Sequence, residues 1–487
     1  MTRVLIDGAH FLSKTGTGIG SYGRTLADCL QSAGCHIAVV YGQRVRARLA
    51  QDARLRLAAQ LFGNEPPAWR WTRLLGDASF LVGAAIGRSN RASAIKVPVE
   101  GVDLSAFEPS LPPCDEVLNS YGLFERAYRL FGMKERFLEL ELPSPCEVAH
   151  WTGPLAIKVR GAPNIYTIHD LIPLQFPHFV IDRGGRVAQL HKEIAQQADH
   201  IITVSQASKQ QIVDLLDVQQ DRISVTYQPA PSLPFLDKGH AERLVENIFG
   251  VKPGAYALFL GAIEPKKNLR RLIEAFLLAG VDIPLLIAGP LGWLYDEDLA
   301  LLDAIGRQAH GSVVNGEVRG NVLTGLIREN RPAVRHLGYL PRRHVVALLQ
   351  CARMFLFPSL HEGFGLPVLE AMQLGVPVLT SNSSSLPEVV GEAAIGVDPL
   401  SVSAMAREIE RLAIDADLRS ELSRRGPKQA AKFGKEQYRA RLAEAYKKVG
   451  VELNKERGVR KSPERERNLE HPTIPGCAPT SPYSLSR

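Results

Sequence analysis

Ten short runs of apolar, β-prone residues punctuate this chain. The first half carries VLI from Val4, HIAVV from His36, NIYTI from Asn164, HIITV from His200 and ISVTY from Ile223. The second carries YALFL from Tyr256, PLLIA from Pro284, AVRHL from Ala333, MFLF from Met354 and PVLT from Pro377. Helical patterns separate them. A strand that is apolar on both faces needs cover on both faces, so this alternation predicts parallel sheets sandwiched by helices. At 487 residues the chain exceeds the usual size of one core. Two doubly wound α/β domains are therefore expected, residues 1–240 and 241–450. The boundary falls in the proline-rich stretch 228–240, QPAPSLPFLDKGH. Residues 44–145 read as a divergent insert. Residues 451–487, rich in charge, proline and serine without apolar period, are expected to be disordered.

Doubly wound sheets bind ligands at the carboxyl ends of their strands. The informative motifs here each follow a strand-like run directly: IDGAH, TIHD, TVSQAS, FLGAIEPKKN, LIAGP and FPSLHEGFG. They are expected to converge on one cleft between two domains. The stretch FPSLHEGFGLPVLEAMQLGVPVLTS, 357–381, is the most specific. It sets Glu362 and Glu370 around the turn Gly363-Phe364-Gly365-Leu366-Pro367, which opens a helix. Glycine lets a ligand approach the backbone, and proline suits the first helical turn. The first helical amides lack intrahelical partners and favour an anion. A carboxylate on either side of such an anion site suits the hydroxyls at the two ends of a sugar–diphosphate–nucleoside.

GAIEPKKNL, 261–269, places Lys266 and Lys267 before a helix. Paired cations there suit a departing diphosphate, which gains negative charge as the sugar leaves. TIHDLIP supplies His169 at a strand end, with Asp170 either orienting its ring or capping the next segment. TGIGSY, 17–22, is a glycine turn with Gly18 and Gly20 leading into a helix over 19–31. With Gly23 it satisfies G-x-G-x-x-G formally, but it does not follow the strand immediately and no ribose-binding acid ends a second strand. Ser205 and Ser208 read as helix caps. The run DED at 296–298 reads as acids at a helix start, and no metal site is expected.

Taken together, these motifs resemble, in order, those of family 4 retaining glycosyltransferases. The similarity covers most of residues 1–30 and 145–445 and rests on TGIGSY, TIHDLIPLQFP, VSQASKQQI, GAIEPKKNL, AGPLGW, VRHLGYLP, the E-x₇-E stretch and NSSSLPEVVGEAAIGVDP. The resemblance implies the two-domain GT-B fold and retention at the anomeric carbon. It implies that Glu362 contacts hydroxyls of the donor sugar, Glu370 holds the nucleoside ribose, and the amides around Gly365, Leu366 and Pro367 line the phosphate, Pro367 itself offering none; Gly363 and Phe364 count among the donor-binding residues. It aligns Lys267 with the lysine on the leaving diphosphate, with Lys266 as helper. It also brings His169 to the sugar near the reacting carbon, and Gly18 and Gly20 to donor phosphate or acceptor. Ala262 departs from the arginine many relatives carry after the strand glycine. Lys266 stands where one branch has arginine, which keeps the charge without the bidentate fork. TGIG, TIHDLIPL and IEPKKN resemble bacterial mannosyltransferases of surface polysaccharide assembly. GDP-mannose is thus the expected donor, a UDP-hexose the alternative, and a saccharide or lipid-linked saccharide the acceptor. Two rival readings share the site: a GT-B epimerase or hydrolase acting on nucleotide sugars, and a non-catalytic nucleotide-sugar-binding protein.

Charge and cysteines bound the setting. The net charge is +7, and residues 44–91 alone hold nine arginines against Asp52, Glu65 and Asp77. Val45, Leu49, Ala53, Leu57 and Leu61 fall four apart among those arginines, and WRWTR follows at 69–73. A basic amphipathic helix near tryptophans suits an anionic membrane surface over residues 44–73, and an ordinary arginine-rich surface helix reads equally well. No nucleic-acid-binding signature accompanies the patch. Six cysteines without metal-ligand spacing read as reduced and structural. No run reaches the ~18–20 apolar residues of a membrane span, and MTRVLIDGAH lacks a signal-peptide core. A cytoplasmic enzyme, peripheral at the inner face of the plasma membrane, is the expectation.

Overall fold

The computed structural model describes residues 1–11, 18–44, 90–97, 111–176, 185–231, 233–292, 327–328 and 331–453. All ten apolar runs lie in its strands. Among the described residues, eight strands form the first large sheet, in the order Ile223–Val225, His200–Thr203, Asn164–Ile168, Val148–Trp151, Arg3–Asp7, His36–Tyr41, Glu116–Asn119, Ile95–Val97. Every neighbouring pair is parallel except the last. Successive side chains point to opposite faces of a strand. Accordingly Val4, Ile6, Ile37 and Val39 enter one buried cluster, while Leu5, Ala38 and Val40 enter the other. That double burial is why these strands carry no polar alternation.

The second sheet has six strands, all parallel, in the order Val334–Gly338, Leu285–Ala288, Ala257–Leu260, Met354–Phe357, Val378–Ser381, Ile395–Val397. Its order reverses between Ala257–Leu260 and Met354–Phe357, the topological switch point where an open α/β sheet leaves a crevice. The loops leaving those two strands carry Lys266 and Lys267 on one side and Glu362 on the other.

The first sheet ends at Val225 and the second begins at Ala257. Between them, the helix Lys238–Leu244 starts on the side chain of Asp237, which accepts from the amide of His240. It packs on the helix Arg342–Cys351, in the second domain. The helix Lys435–Lys447 returns to the first domain. There Tyr446 hydrogen-bonds His150 at 2.9 Å, His150 bonds Thr167 at 2.8 Å, and Thr167 bonds Tyr22 at 2.9 Å. Burial drives His150 down to about 3, so this chain of bonds is built on a neutral ring.

Four strands of the two large sheets escaped the apolar pattern, Ile95–Val97 and Ile395–Val397 among them. Glu116–Asn119 and Val148–Trp151 both join the first sheet. Glu116 lies within the stretch expected to be an insert, yet its carboxylate pairs with Arg3 at 2.7 Å across the sheet. That stretch is therefore not all insertion. The arginine-rich run over 45–89, the acids at 296–298 and residues 454–487 lie outside the described residues. Five cysteines, Cys29, Cys35, Cys114, Cys146 and Cys351, carry free thiols, and burial pushes each of them up. No helix among the described residues is long and apolar enough to cross a membrane.

Candidate active site

The loop from Pro358 to Gly365 hangs between the strand Met354–Phe357 and the helix Leu366–Gln373. Serine hydroxyls shape it. Ser381 Oγ donates to the Ser359 carbonyl at 2.6 Å and Ser383 Oγ to that of Leu360 at 3.0 Å. The Glu362 amide donates to Ser384 Oγ at 3.0 Å, and Ser385 Oγ reaches the carbonyls of Glu362 and Phe364 at 2.9 and 3.0 Å. Asn268 ties this loop to the lysine loop, its side-chain amide donating to the carbonyls of Pro358 and Pro399 at 3.0 and 2.7 Å. Its backbone is left-handed at φ 59°, a conformation asparagine tolerates better than most residues.

Glu362 and Lys267 meet at the switch point. Lys267 Nζ donates to Glu362 Oε1 at 2.5 Å, and Ser359 Oγ donates to the same oxygen at 2.7 Å. The ammonium also lies 4.8 Å from the centroid of the Phe357 ring. Both residues are buried. Burial pushes the Glu362 carboxyl up, but Lys267, Lys266 and the bonds from Lys267 and Ser359 outweigh it and hold the group below its usual range. Lys266 pairs with Glu264 at 3.3 Å. Burial works to lower Lys266, yet Glu362, Glu264 and Asp170 raise it above the ordinary lysine value. Asp170 belongs to the first domain, so the charge cluster spans the cleft.

The turn after Glu362 leaves a run of backbone amides open. Within the described residues, the amides of Gly363, Phe364, Gly365 and Leu366 meet no acceptor. Gly365 has φ 108°, and a Cβ there would meet Leu386 at 2.6 Å. A turn into the helix sits Glu370, and here the structure adds a residue that the sequence did not flag. Arg342 holds Glu370 in a fork, Nη1 to Oε2 at 3.0 Å and Nη2 to Oε1 at 2.7 Å. A guanidinium fork fixes the plane of a carboxylate while leaving each oxygen another lone pair. Arg342 lies 28 positions upstream, so no local pattern marks it.

Three residues of the sequence reading take definite places. The Phe364 side chain is not part of a ligand surface. Its ring packs against Phe433 at 5.5 Å and Tyr227 at 6.2 Å, inside the contact between domains, which leaves only its backbone facing the turn. His169 does stand at the cleft, yet both ring nitrogens are engaged. Nε2–H donates to the Thr152 carbonyl at 2.9 Å, and Nδ1 accepts from Gln228 at 3.1 Å. Burial lowers its pKa and keeps it neutral. Both ring nitrogens of His169 are thus held by protein groups at the edge of the cleft. Asp170 caps the next segment, accepting from the Ile172 amide at 3.2 Å, and does not orient His169.

Ser205 caps its helix as expected, while Ser208, also expected to cap, has its own amide capped by Ser205 and turns its hydroxyl to the other domain. Its hydroxyl lies 3.0 Å from the His169 carbonyl and 3.4 Å from that of Gly363, bridging the domains. A Cβ on Gly363 would stand 2.5 Å from the His169 carbonyl oxygen. Gly18 opens the helix Gly18–Ser32 with free space around it, and Gly20 is buried in its first turn. The loop leading into them, 12–17, lies outside the described residues.

Comparison with known proteins places this geometry. The model for glycosyl transferases group 1 matches residues 247–429, and that for glycosyltransferase family 4 matches 127–230. The O-antigen chain mannosyltransferase B of Escherichia coli is 34% identical over 291 residues, 58% of this chain and 70% of that protein. The chain belongs to glycosyltransferase family 4. A serotype-specific mannosyltransferase, WbdA of Escherichia coli, is 31% identical over 281 residues, which span 55% of this chain and 31% of that one. Among solved structures, sucrose-phosphate synthase from Thermosynechococcus elongatus superposes with a TM-score of 0.58 at 16% identity, covering 92% of this chain and 99% of that one. Anabaena HepE in complex with UDP and glucose gives 0.55 at 14%, covering 92% and 100%. The fold is GT-B, and the protein is a glycosyltransferase.

Proposed function

We propose that this glycosyltransferase moves a mannosyl group from GDP-mannose to a saccharide or lipid-linked saccharide, with retention of configuration, in the assembly of a surface polysaccharide. The observation that carries the site is the row of acceptorless amides from Gly363 to Leu366, with Glu362 at one end and Glu370 at the other. A nucleotide sugar has the same order of groups: sugar hydroxyls, diphosphate, ribose hydroxyls. The likeness to mannosyltransferases supports the choice of sugar.

In this account Glu370, aimed by Arg342, accepts the ribose hydroxyls. The amides of Gly363, Phe364, Gly365 and Leu366 bind the diphosphate, and Glu362 accepts hydroxyls of the sugar. As the bond between the anomeric carbon and the phosphate oxygen breaks, charge builds on the diphosphate, and Lys267 and Lys266 stabilise it. The acceptor hydroxyl oxygen forms the new bond to that carbon on the face the diphosphate leaves, and its proton passes to the departing phosphate oxygen. His169 walls the sugar pocket, with Gly18 and Gly20 on the acceptor side. Closing the cleft holds acceptor and donor together on that face, a large share of the work in group transfer. No metal and no covalent enzyme intermediate is invoked. The acceptor's nature makes residues 44–73 a proposed contact with an anionic membrane surface.

A thermal-shift screen against GDP, UDP, ADP and their sugars tests the donor, because a ligand that binds only the native state raises the apparent stability. GDP and GDP-mannose are expected to give the largest shift. A shift with UDP-hexoses alone would replace the donor, and no shift with any nucleotide would remove the reading. Replacement of Glu362 by alanine is expected to abolish transfer with the fold intact.

A further inference from the structure

The segment that grips the donor loop also grips the other domain. Ser384 and Ser385 hold the backbone of Glu362 and Phe364. Three residues on, Glu388 reaches across the cleft to the helix Gln206–Leu216 of the first domain. Its Oε2 accepts from the Gln206 amide at 2.9 Å and its Oε1 from the Ala207 amide at 3.0 Å. These are the first two amides of that helix, which lack intrahelical acceptors and carry the positive end of its dipole. The helix's own cap, Ser205, serves a different amide, that of Ser208. A carboxylate from the second domain thus completes the cap of a helix in the first. Beside it, Gln211 meets His361 at 2.8 Å, and Ser208 bridges the carbonyls of His169 and Gly363.

We propose that Glu388 is a positioning residue for glycosyl transfer: a latch that caps the first-domain helix in trans and so sets Glu362 against the acceptor side only when the cleft is closed. The proposal rests on the function put forward above for its link to turnover, and on contacts alone for its link to closure. Opening the domains would strip both amides and the carboxylate of their partners at once. Charge-assisted bonds of this kind are about twice as strong as neutral ones, which suits a contact made and broken in each cycle.

The helix offers a test that leaves Glu388 itself untouched. Gln206 is the first helical residue, where proline is tolerated and lacks only the N–H in question. Ser205 before it is extended, φ −159° and ψ 158°, as a residue preceding proline must be. Gln206→Pro therefore deletes one latch donor without breaking the helix, and Gln206→Ala controls for the lost side chain. Glu388→Gln keeps the shape but turns an NH₂ toward one of the two amides. The readouts on the full chain are GDP affinity by calorimetry, turnover of GDP-mannose to GDP, and the radius of gyration by small-angle scattering without ligand. Glu388→Gln and Gln206→Pro are each expected to lower turnover ~10–100-fold, the scale of a small misplacement of reacting groups. GDP affinity should stay within about twofold, since neither group is among those proposed to bind the donor. Both should enlarge the ligand-free radius, and the double variant should be no worse than Glu388→Gln alone. Independent, multiplying losses, an unchanged radius, or GDP affinity falling in step with turnover would each overturn the latch. If the wild type binds no nucleotide, the functional proposal fails instead, and the scattering comparison still decides whether Glu388 holds the domains together.

Discussion

Glu362 and Lys267 are a buried ion pair, and removing one partner separates their structural role from their chemical one. Glu362→Gln preserves shape and leaves the Lys267 ammonium without a counter-charge, beside Lys266 and over the Phe357 ring. Breaking a buried pair costs roughly 3–5 kcal/mol, because a desolvated charge is stranded. The aromatic face and the flexible lysine stem place this case at the low end, about 3 kcal/mol. For a domain of this size that is a fall of ~6–12 °C in melting temperature. Removing the stranded charge as well, in Glu362→Gln with Lys267→Met, should restore most of the loss, since an ion pair replaced by apolar or neutral groups is often close to neutral in stability. Activity should behave in the opposite way. Both variants should be inactive in transfer, the double no better than the single. Thermal melts followed by circular dichroism, run beside a GDP-release assay, read both. A single variant that melts within about 1 °C of wild type, or a double variant that loses the sum of two independent penalties, would refute the stranded-charge argument.

Three further outcomes follow. Arg342→Ala should weaken binding of GDP and UDP alike, about 2–10-fold, because a rotamer-rich Glu370 must then be ordered on binding; tighter binding would show that Arg342 competes with the ribose. Gly363→Ala puts a methyl 2.5 Å from the His169 carbonyl, so transfer should drop at least ~100-fold from a misaligned cleft, with wild-type turnover as the contradicting result. The Glu362 carboxyl is held below its normal range by Lys267 and Lys266 against the pull of burial. A depressed carboxylate contributes stability that is fully present above the unfolded pKa of about 4.3 and lost as pH falls through the lower folded value. The melting difference between wild type and Glu362→Gln should therefore stay flat from pH 8 to about 5 and close only in more acid solution; a difference that shrinks between pH 7 and 5 would contradict the sign.

Much of this fold is legible because both sheets are buried on both faces, so strands such as Ala257–Leu260 and Met354–Phe357 are written in uninterrupted apolar residues. Glu116–Asn119 is not, because its buried acid is answered by Arg3, 113 positions away. The same split runs through the site. Glu362, Glu370 and the glycine turn are close in sequence, and Lys267 follows its own strand end, so local spacing reveals them. Arg342 and Glu388 work through partners 28 and 182 positions distant, and nothing near them in the chain records it. The place of the Phe364 ring is hidden for a related reason: it closes the seam with Tyr227 and Phe433, which the motif does not contain. His169 is placed rightly at a strand end, while its availability depends on Thr152 and Gln228, which the local motif does not contain.

The central claim is that one row of amides between two carboxylates is a nucleotide-sugar site. A crystal structure of the enzyme soaked with GDP tests it most directly. The account predicts ribose hydroxyls on Glu370 and the terminal phosphate against the amides of Gly365 and Leu366, with Lys267 or Lys266 beside it. A nucleotide bound elsewhere, or bound with its ribose away from Glu370 and the amide row empty, would contradict it.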